Sequence, residues 1–322
     1  MRAYHKPAPE APASVMQIAM PEPAPGQIRV KIEACGLNFA DLLMLKGQYQ
    51  DTPATPFTLG MEVAGTVDAL GDGTAGPALG TRVAVFGGHG GLAEYGCFDA
   101  SRAVPLPDVM SMTDAAAFLI AYGTSHLALD HRARLQPGER LLVLGAAGGV
   151  GLTAVEVGKL MGATVIACAR GADKLEAARA AGADHLIDAA TDDIRAVVKS
   201  LGGADVVYDP VGGEQWKAAF RACNPEARLL PIGFASGEVP QIPANHLLVK
   251  NLSVLGVYWG GYMTFNPKAL TDSLRVLLDW YAAGRVKPHV SHVLPLTRVE
   301  EGLELLRSRA STGKVVITMQ ND

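Results

Sequence analysis

Arg140-Leu-Leu-Val-Leu-Gly145-Ala-Ala-Gly148-Gly149-Val-Gly151-Leu-Thr-Ala-Val-Glu-Val-Gly-Lys-Leu-Met-Gly162 is the stretch whose reading decides the fold. Leu141 to Leu144 make a short apolar run with no polar alternation, as suits a parallel-sheet strand buried on both faces. The run stops at Gly145, and glycines recur at 148, 149 and 151. Glycine there lets the backbone turn tightly and approach a ligand with no side chain between them. From Gly149 onward the pattern is helical, so free N–H groups and the positive end of a helix dipole point back at the turn. A diphosphate is the ligand that suits this arrangement. The spacing Gly145-x-x-Gly148-Gly149-x-Gly151 is a shifted form of G-x-G-x-x-G, and its weight comes from the strand before it and the helix after it. A purely structural strand-to-helix turn is the competing reading.

Downstream the same alternation continues. Strands are predicted at 163–168, 185–187, 204–208, 227–233 and 252–257, with helices at about 149–161, 172–181 and 192–201. Alternating β and α with short connections predicts right-handed crossovers and a doubly wound parallel sheet. Upstream the character differs. Gln27-Ile-Arg-Val-Lys-Ile-Glu-Ala alternates, placing Ile28, Val30 and Ile32 on one face of a half-buried strand. Glu62 to Leu70 and Thr81 to Phe86 read alike, separated by turn-rich segments such as Gly71-Asp-Gly-Thr-Ala-Gly-Pro. Ser111 or Thr113 caps a helix over 114–120, and a second helix runs from about Ser125 to Arg134. Beyond residue 260, Pro267 to Ala283 is amphipathic, with Leu270, Leu274, Leu277, Leu278 and Tyr281 on one stripe. A helix over 297–309 and a last strand at Val315 follow. This tail is expected to pack back on the N-terminal β-rich part, which makes that domain discontinuous.

Composition bounds the function. With 322 residues, two domains are the prior, and 49% hydrophobic with 19% charged residues describes an ordinary globular chain. A net charge of −4 and scattered Lys and Arg give nucleic acid or an anionic membrane no general attraction. Cys35, Cys97, Cys168 and Cys223 have neither C-x-x-C pairing nor metal-ligand spacing, which fits a reducing compartment. No basic-then-apolar signal opens the chain, and the longest apolar stretch, Leu141 to Val155, is broken by glycines. A soluble cytoplasmic protein is expected.

The end of the second strand selects the dinucleotide. An NAD binder carries an acid there, about 20 residues past the glycines, for the ribose 2′-OH. Here Thr164-Val-Ile-Ala-Cys-Ala-Arg170 ends on a cation, and Lys174 follows one turn later. Arg170 can grip a 2′-phosphate bidentately and Lys174 as a point charge, so NADP(H) is expected. Asp173 could pair with Arg170 and blunt the effect.

Further motifs are Cys35-Gly-Leu-Asn38-Phe-Ala-Asp41, Gly47-Gln-Tyr49, Leu59-Gly-Met-Glu62-Val-Ala-Gly65, Asp209-Pro-Val-Gly-Gly213, Pro231-Ile-Gly-Phe-Ala-Ser-Gly237 and Gly313-Lys-Val-Val-Ile317. In their order and spacing they resemble the medium-chain dehydrogenase/reductase superfamily, above all its zinc-free, zeta-crystallin-like quinone oxidoreductases. The resemblance covers essentially the whole chain. It implies a Rossmann cofactor domain over 119–260, inserted in a β-rich GroES-like substrate domain made of 1–118 and 261–322. It places Asn38 beside the nicotinamide, with Thr124 approaching from a helix that enters the cofactor domain. Gly145, Ala147, Gly148, Gly149 and Val150 become the diphosphate cradle. Gly233, Phe234, Tyr258 and Lys314 are further expected cofactor contacts.

Zinc-dependent relatives look like Cys-x-x-Asp where this chain has Asn38-Phe-Ala-Asp41, and like Gly-His-Glu where it has Gly60-Met61-Glu62. Carboxamide and thioether replace thiolate and imidazole, so no zinc is expected, and the four-cysteine structural lobe is absent. Without a Lewis acid, alcohol oxidation loses its support. What remains is hydride delivery to an acceptor that is already electrophilic, a quinone or an unsaturated carbonyl. Tyr49 is the candidate hydroxyl for the substrate carbonyl oxygen. Many relatives carry a tyrosine five residues after the Asn, and here that position is Leu43. His89, in the mobile-looking Phe86-Gly-Gly-His-Gly-Gly, could border the substrate cleft or be solvated, and His289 and His292 are expected at the surface. Asn251 to Tyr258 is apolar enough for an edge strand to need cover, and in relatives it pairs with its twin in a homodimer. A 2-alkenal or enoyl-thioester reductase and a non-catalytic NADPH-binding protein are the alternatives.

Overall fold

A computed structural model describes residues 1–320 of the chain. It divides into two compact units, one of Met1–Ile120 with the segment from Lys287 onward, the other of Ala121–Val286.

The first unit is built on a seven-stranded sheet. Its central strand, β1 (Gln27–Gly36), buries Ile28, Val30 and Ile32 as the alternation predicts, and leads into helix α1 (Phe39–Leu45). On one side β1 pairs antiparallel with β2 (Glu62–Leu70), followed by Arg82–Phe86 and Ala103–Pro105. On the other side it pairs with Lys314–Thr318, which carries Val290–Pro295 at the edge. Tyr95–Asp99 also pairs with β1. A three-stranded sheet of Ser14–Gln17, Arg2–Lys6 and Phe57–Thr58 completes the unit. The glycine-rich segment after Phe86 is pinned, not loose. Gly87 and Gly88 donate to Met61 O, Gly90 to Thr58 O, Gly91 to Gly60 O and Leu92 to Leu59 O.

Ser111 caps the helix Met112–Ala116, accepting from the Asp114 amide at 3.0 Å. Helix α2 (Leu119–His126) then runs into a π-helical segment, Leu127–Arg132, closed by an Ala133 N–H to Ala128 carbonyl bond of 2.8 Å. In the second unit, β3 (Arg140–Leu144) leads through the glycine turn into α3 (Gly149–Leu160), then β4 (Thr164–Ala169), β5 (His185–Asp188), β6 (Ala204–Asp209), β7 (Cys223–Pro231) and β8 (Ser253–Val254). All pair parallel in the order β5-β4-β3-β6-β7-β8. The order reverses beside β3, so the glycine turn sits at the switch point where such sheets bind ligands.

Two sequence expectations need correction. The last strand does not run over 252–257. Leu255 N–H reaches Leu229 O at 2.8 Å, but the next β7 residue facing that way is Pro231, which has no N–H to continue the ladder. Residues 261–286 also do not belong with the β-rich unit. Helix α4 (Pro267–Ala282) buries Leu270, Ser273, Leu274 and Leu277 within the second unit. Ser273 Oγ lies 2.9 Å from His126 Nδ1, and the His126 ring meets Trp280 edge-on at 5.3 Å. An amphipathic stripe goes where apolar surface is available, at roughly 1.5–3 kcal/mol for each leucine buried.

Candidate functional site

Gly36 is where the chemistry of the first unit is assembled. It is in register with Glu62 on β2 and with Val316 on the opposite neighbour. A Cβ at this position would stand 2.0 Å from the Ala116 carbonyl oxygen, so only glycine fits. Two residues on, the chain enters α1 through Asn38, and strand register thereby brings Asn38, Glu62 and Lys314 together. Lys314 Nζ donates to Leu37 O at 2.8 Å, to Asn38 Oδ1 at 2.7 Å and to Glu62 Oε1 at 2.7 Å. Asn38 Nδ2 donates to Glu62 Oε1 at 3.0 Å and to Gly36 O at 3.2 Å. Glu62 Oε2 accepts from the Ile120 amide at 2.9 Å, in the first turn of α2. An ammonium can only donate and a carboxylate only accept, so the orientation of the Asn38 amide is settled by its partners. The Lys314 and Glu62 side chains are 5% and 1% exposed. Burying such a pair costs several kcal/mol per ion, offset here by these hydrogen bonds.

Asp41, fully buried in the first turn of α1, accepts from Asn38 N–H through Oδ2 at 2.8 Å, while its Oδ1 has no partner among the described residues. Burial, with help from the Glu62 charge, pushes its carboxyl up to about 7 against the pull of the Asn38 and Gly60 amides and of Lys314. The Tyr49 ring is half-buried against the core. Burial first, then Asp51 and Asp41, raise its phenol to about 12, so it stays protonated. Met61 is 3% exposed and lies inside the same core. His89 is held neutral by burial and by Arg102. His289 is exposed and bonds Thr312 at 2.9 Å, and His292 bonds Ser291 at 2.9 Å.

In the second unit, the carboxyl ends of the parallel strands bring one group of expected residues to one edge. Gly145 follows β3 with φ +57°, and a Cβ on it would press on Val211 at 2.8 Å. Gly151 packs so closely that a Cβ would lie 2.2 Å from Gly145 O. At Gly148 a Cβ would meet only Gly145 O, at 3.5 Å, so this position opens to space beside the helix start. Gly148 is the N-cap of α3 and offers no side chain to the first-turn amides, and Ala147 beside it is 3% exposed. The first-turn amides of α3 therefore meet no capping side chain, and a helix start of this kind attracts anions. Beneath this turn lies a buried hydroxyl chain. Tyr208 Oη is 3.1 Å from Ser125 Oγ, which is 2.8 Å from Thr153 Oγ1 and 3.0 Å from Val150 O. Thr153 Oγ1 is in turn 3.0 Å from Ala121 O. The chain ties α2, which carries the 7%-exposed Thr124, to the first turn of α3.

Arg170, exposed at the end of β4, forms no ion pair among the described residues, with Asp173 or any other, and Lys174 is half-buried. Asp188 stands in register beside Ala169. Its Oδ1 accepts from Gly171 N–H at 3.1 Å and Ala190 N–H at 2.9 Å, and these bonds hold it ionised. The strand neighbouring β4 thus supplies an acid beside Arg170 that the β4 sequence lacks. After β6, the buried Asp209 accepts from Val211 and Gly212 N–H at 2.7 and 2.9 Å, and burial still pushes it up to about 6. Gly233 donates to Asp209 O at 3.3 Å, while Phe234 and Tyr258 are 43% and 40% exposed.

Of the residues singled out from sequence, Asn38 and Lys314 are in direct contact, and the glycine turn, Arg170, Gly233 and Phe234 share one sheet edge. Tyr49 makes no side-chain hydrogen bond among the described residues. Sequence reading missed the roles of Asp41, Glu62, Asp188 and the hydroxyl chain. Glu62 left a signal, a charge heading an apolar strand. The hydroxyls left none.

Two family models match the chain, an alcohol dehydrogenase GroES-like domain over residues 24–108 and a zinc-binding dehydrogenase over 149–275. A quinone oxidoreductase-like protein 2 homolog of Nematostella vectensis is 40% identical over 297 residues, 90% of this chain and 81% of that protein. The quinone oxidoreductase of Thermus thermophilus, solved also in complex with NADPH, superposes with a TM-score of 0.88 at 34% identity over 99% of this chain and 100% of its own. The Escherichia coli quinone oxidoreductase, complexed with NADPH, gives 0.89 at 30% identity over 98% and 99%. With both sheets, the glycine turn and these likenesses in agreement, the chain belongs to the quinone oxidoreductase-like branch of the medium-chain dehydrogenase/reductases.

Proposed function

We propose that this chain is an NADPH-dependent reductase that delivers a hydride to a quinone without a zinc ion. The observation that carries the reading is the bare N-terminus of α3 behind the glycine turn, with the cation Arg170, in no ion pair among the described residues, at the end of the next strand. The relatives solved with NADPH support the same cofactor here. NADPH, when bound, supplies the hydride. The first-turn amides of α3 hold its diphosphate, and Arg170 and Lys174 neutralise the 2′-phosphate. Thr124, Asn38, Gly233, Phe234 and Tyr258 are assigned to the nicotinamide end. Support for zinc-free chemistry comes from Asn38 and Met61, whose carboxamide and thioether are poor zinc ligands. The hydride brings both electrons and one hydrogen, and water supplies the one further proton that completes the hydroquinone, with the Tyr49 phenol as a hydrogen-bond donor to the carbonyl oxygen.

The test follows NADPH and NADH oxidation with benzoquinones, naphthoquinones, 2-alkenals and enoyl thioesters. NADPH with a quinone should be the fastest pair. Preference for an alkenal or thioester would move the chain to double-bond reduction, and NADPH binding without turnover on any acceptor would make it non-catalytic. Arg170→Ala should raise the KM for NADPH roughly tenfold and leave that for NADH unchanged, the loss of one charge-assisted contact. Asp188→Asn should act oppositely, lowering the NADPH KM. Equal effects of Arg170→Ala on both cofactors would sink the 2′-phosphate assignment. Stoichiometric zinc on elemental analysis would overturn the metal-free reading.

A further inference from the structure

We propose that Lys314 is a positioning residue. Its ammonium, paired with Glu62, locks the Asn38 carboxamide in one orientation, so that Asn38 serves as a hydrogen-bond acceptor and Lys314 itself touches neither cofactor nor substrate. The inference rests on the reading that Asn38 lies beside the nicotinamide.

An ammonium has three protons, and all three of Lys314's are spent, on Leu37 O, Asn38 Oδ1 and Glu62 Oε1 at 2.7–2.8 Å. Nothing remains to offer a ligand, and the side chain is 5% exposed. Both Nδ2 protons of Asn38 are equally committed, to Glu62 Oε1 and Gly36 O. The carboxamide therefore has no donor left, only the second lone pair of Oδ1. A half-turn of the amide would set Nδ2 against the ammonium and Oδ1 against the carboxylate, replacing two charge-assisted hydrogen bonds by two repulsions. Asn38 then cannot stabilise a developing oxyanion by donation. Its free function matches an N–H donor such as the carboxamide of a nicotinamide. Glu62 also accepts from Ile120 N–H, so the same carboxylate fixes the start of the helix that carries Thr124.

The test uses the full-length protein with NADPH and 1,4-benzoquinone. Lys314→Met alone leaves a buried, unpaired Glu62 and could fail to fold, so the informative variant is Glu62→Gln/Lys314→Met, which removes both charges. NADPH affinity is read separately by fluorescence, and turnover is normalised to NADPH-binding sites. The double variant should bind NADPH within about twofold of the parent and turn over about tenfold more slowly, the worth of one hydrogen bond to a charged group. Lys314→Arg, which keeps N–H donors in place, should recover most of the rate. A double variant with parental turnover per site overturns the proposal, and so does a loss confined to NADPH affinity, which would make Lys314 a cofactor ligand. Asn38→Ala runs alongside. If it turns over like the parent, the placement of Asn38 fails and takes the proposal with it. If it is slow while the double variant is not, the proposal alone falls.

Discussion

Asp41 sits where burial and charge oppose each other most directly. Its Oδ2 has amide partners, its Oδ1 has none among the described residues, and Glu62 adds a second negative charge nearby. The carboxyl is raised from 3.8 to about 7, so the folded chain holds this proton more tightly than the unfolded chain does. Its contribution to stability is complete below about pH 4 and is lost as pH rises through about 7. Asn has the shape of the protonated acid and keeps an oxygen for the Asn38 amide. Asp41→Asn should therefore fold and gain stability over the parent above pH 7, with the gap closing toward pH 4. Urea unfolding at both pH values checks this, and a variant less stable at pH 8 would mean that the ionised form is the one the fold uses. At this scale legibility was uneven. Asn38 and Met61 were readable as departures from metal-ligand chemistry. That Lys314 ends on Asn38 was not, because 276 residues separate the two and only strand register joins them.

At the scale of elements, the alternation of β3, α3, β4 and their successors is legible because each element rests on local periodicity and nearby glycines. The extent of β8 was harder to read, since the residue that ends it, Pro231, lies on the neighbouring strand. The support under the cofactor turn was not legible at all. Thr153 and Ser125 are 28 residues apart and Ser125 and Tyr208 are 83 apart, and single hydroxyls in apolar helices and strands leave no pattern. Thr153→Val removes the central hydroxyl at constant shape. It leaves Ser125 with Val150 O and Tyr208 as partners, so the cost to stability should be about 1 kcal/mol. Because the Thr153 hydroxyl bonds Gly149 O and Val150 O in the first turn of α3, the variant should also raise the KM for NADPH several-fold with little change in kcat. Tyr208→Phe, farther from the turn, should cost similar stability and leave that KM nearly unchanged. Steady-state kinetics beside thermal melts would separate the two, and equal KM values for both variants would deny the hydroxyl chain a role in holding the turn.

At the scale of the molecule, the switch from β-rich to alternating character marks where the chain enters the second unit, and the return strand Lys314–Thr318 pairs with β1 at the centre of the first. The partner of α4 is not legible in the sequence, because an amphipathic stripe states that a helix needs a partner and not which one. The same limit applies to β8, the edge of the six-stranded sheet. Leu255 points its backbone groups at β7, so those of Val254 face outward. Just before it in sequence, Leu248 and Val249 are 77% and 70% exposed, apolar surface that a monomer has little reason to display. A second copy of this edge, antiparallel across a two-fold axis, would satisfy both the outward amides and the apolar residues. We therefore expect the protein to sediment at micromolar concentration at twice its 33.7 kDa chain mass. Val254→Pro removes an outward N–H while sparing the bond from Leu255 to Leu229, so it should sediment as a monomer and still bind NADPH. A parent that sediments at 33.7 kDa would refute the dimer. A Val254→Pro variant that stays dimeric would move the interface away from this edge.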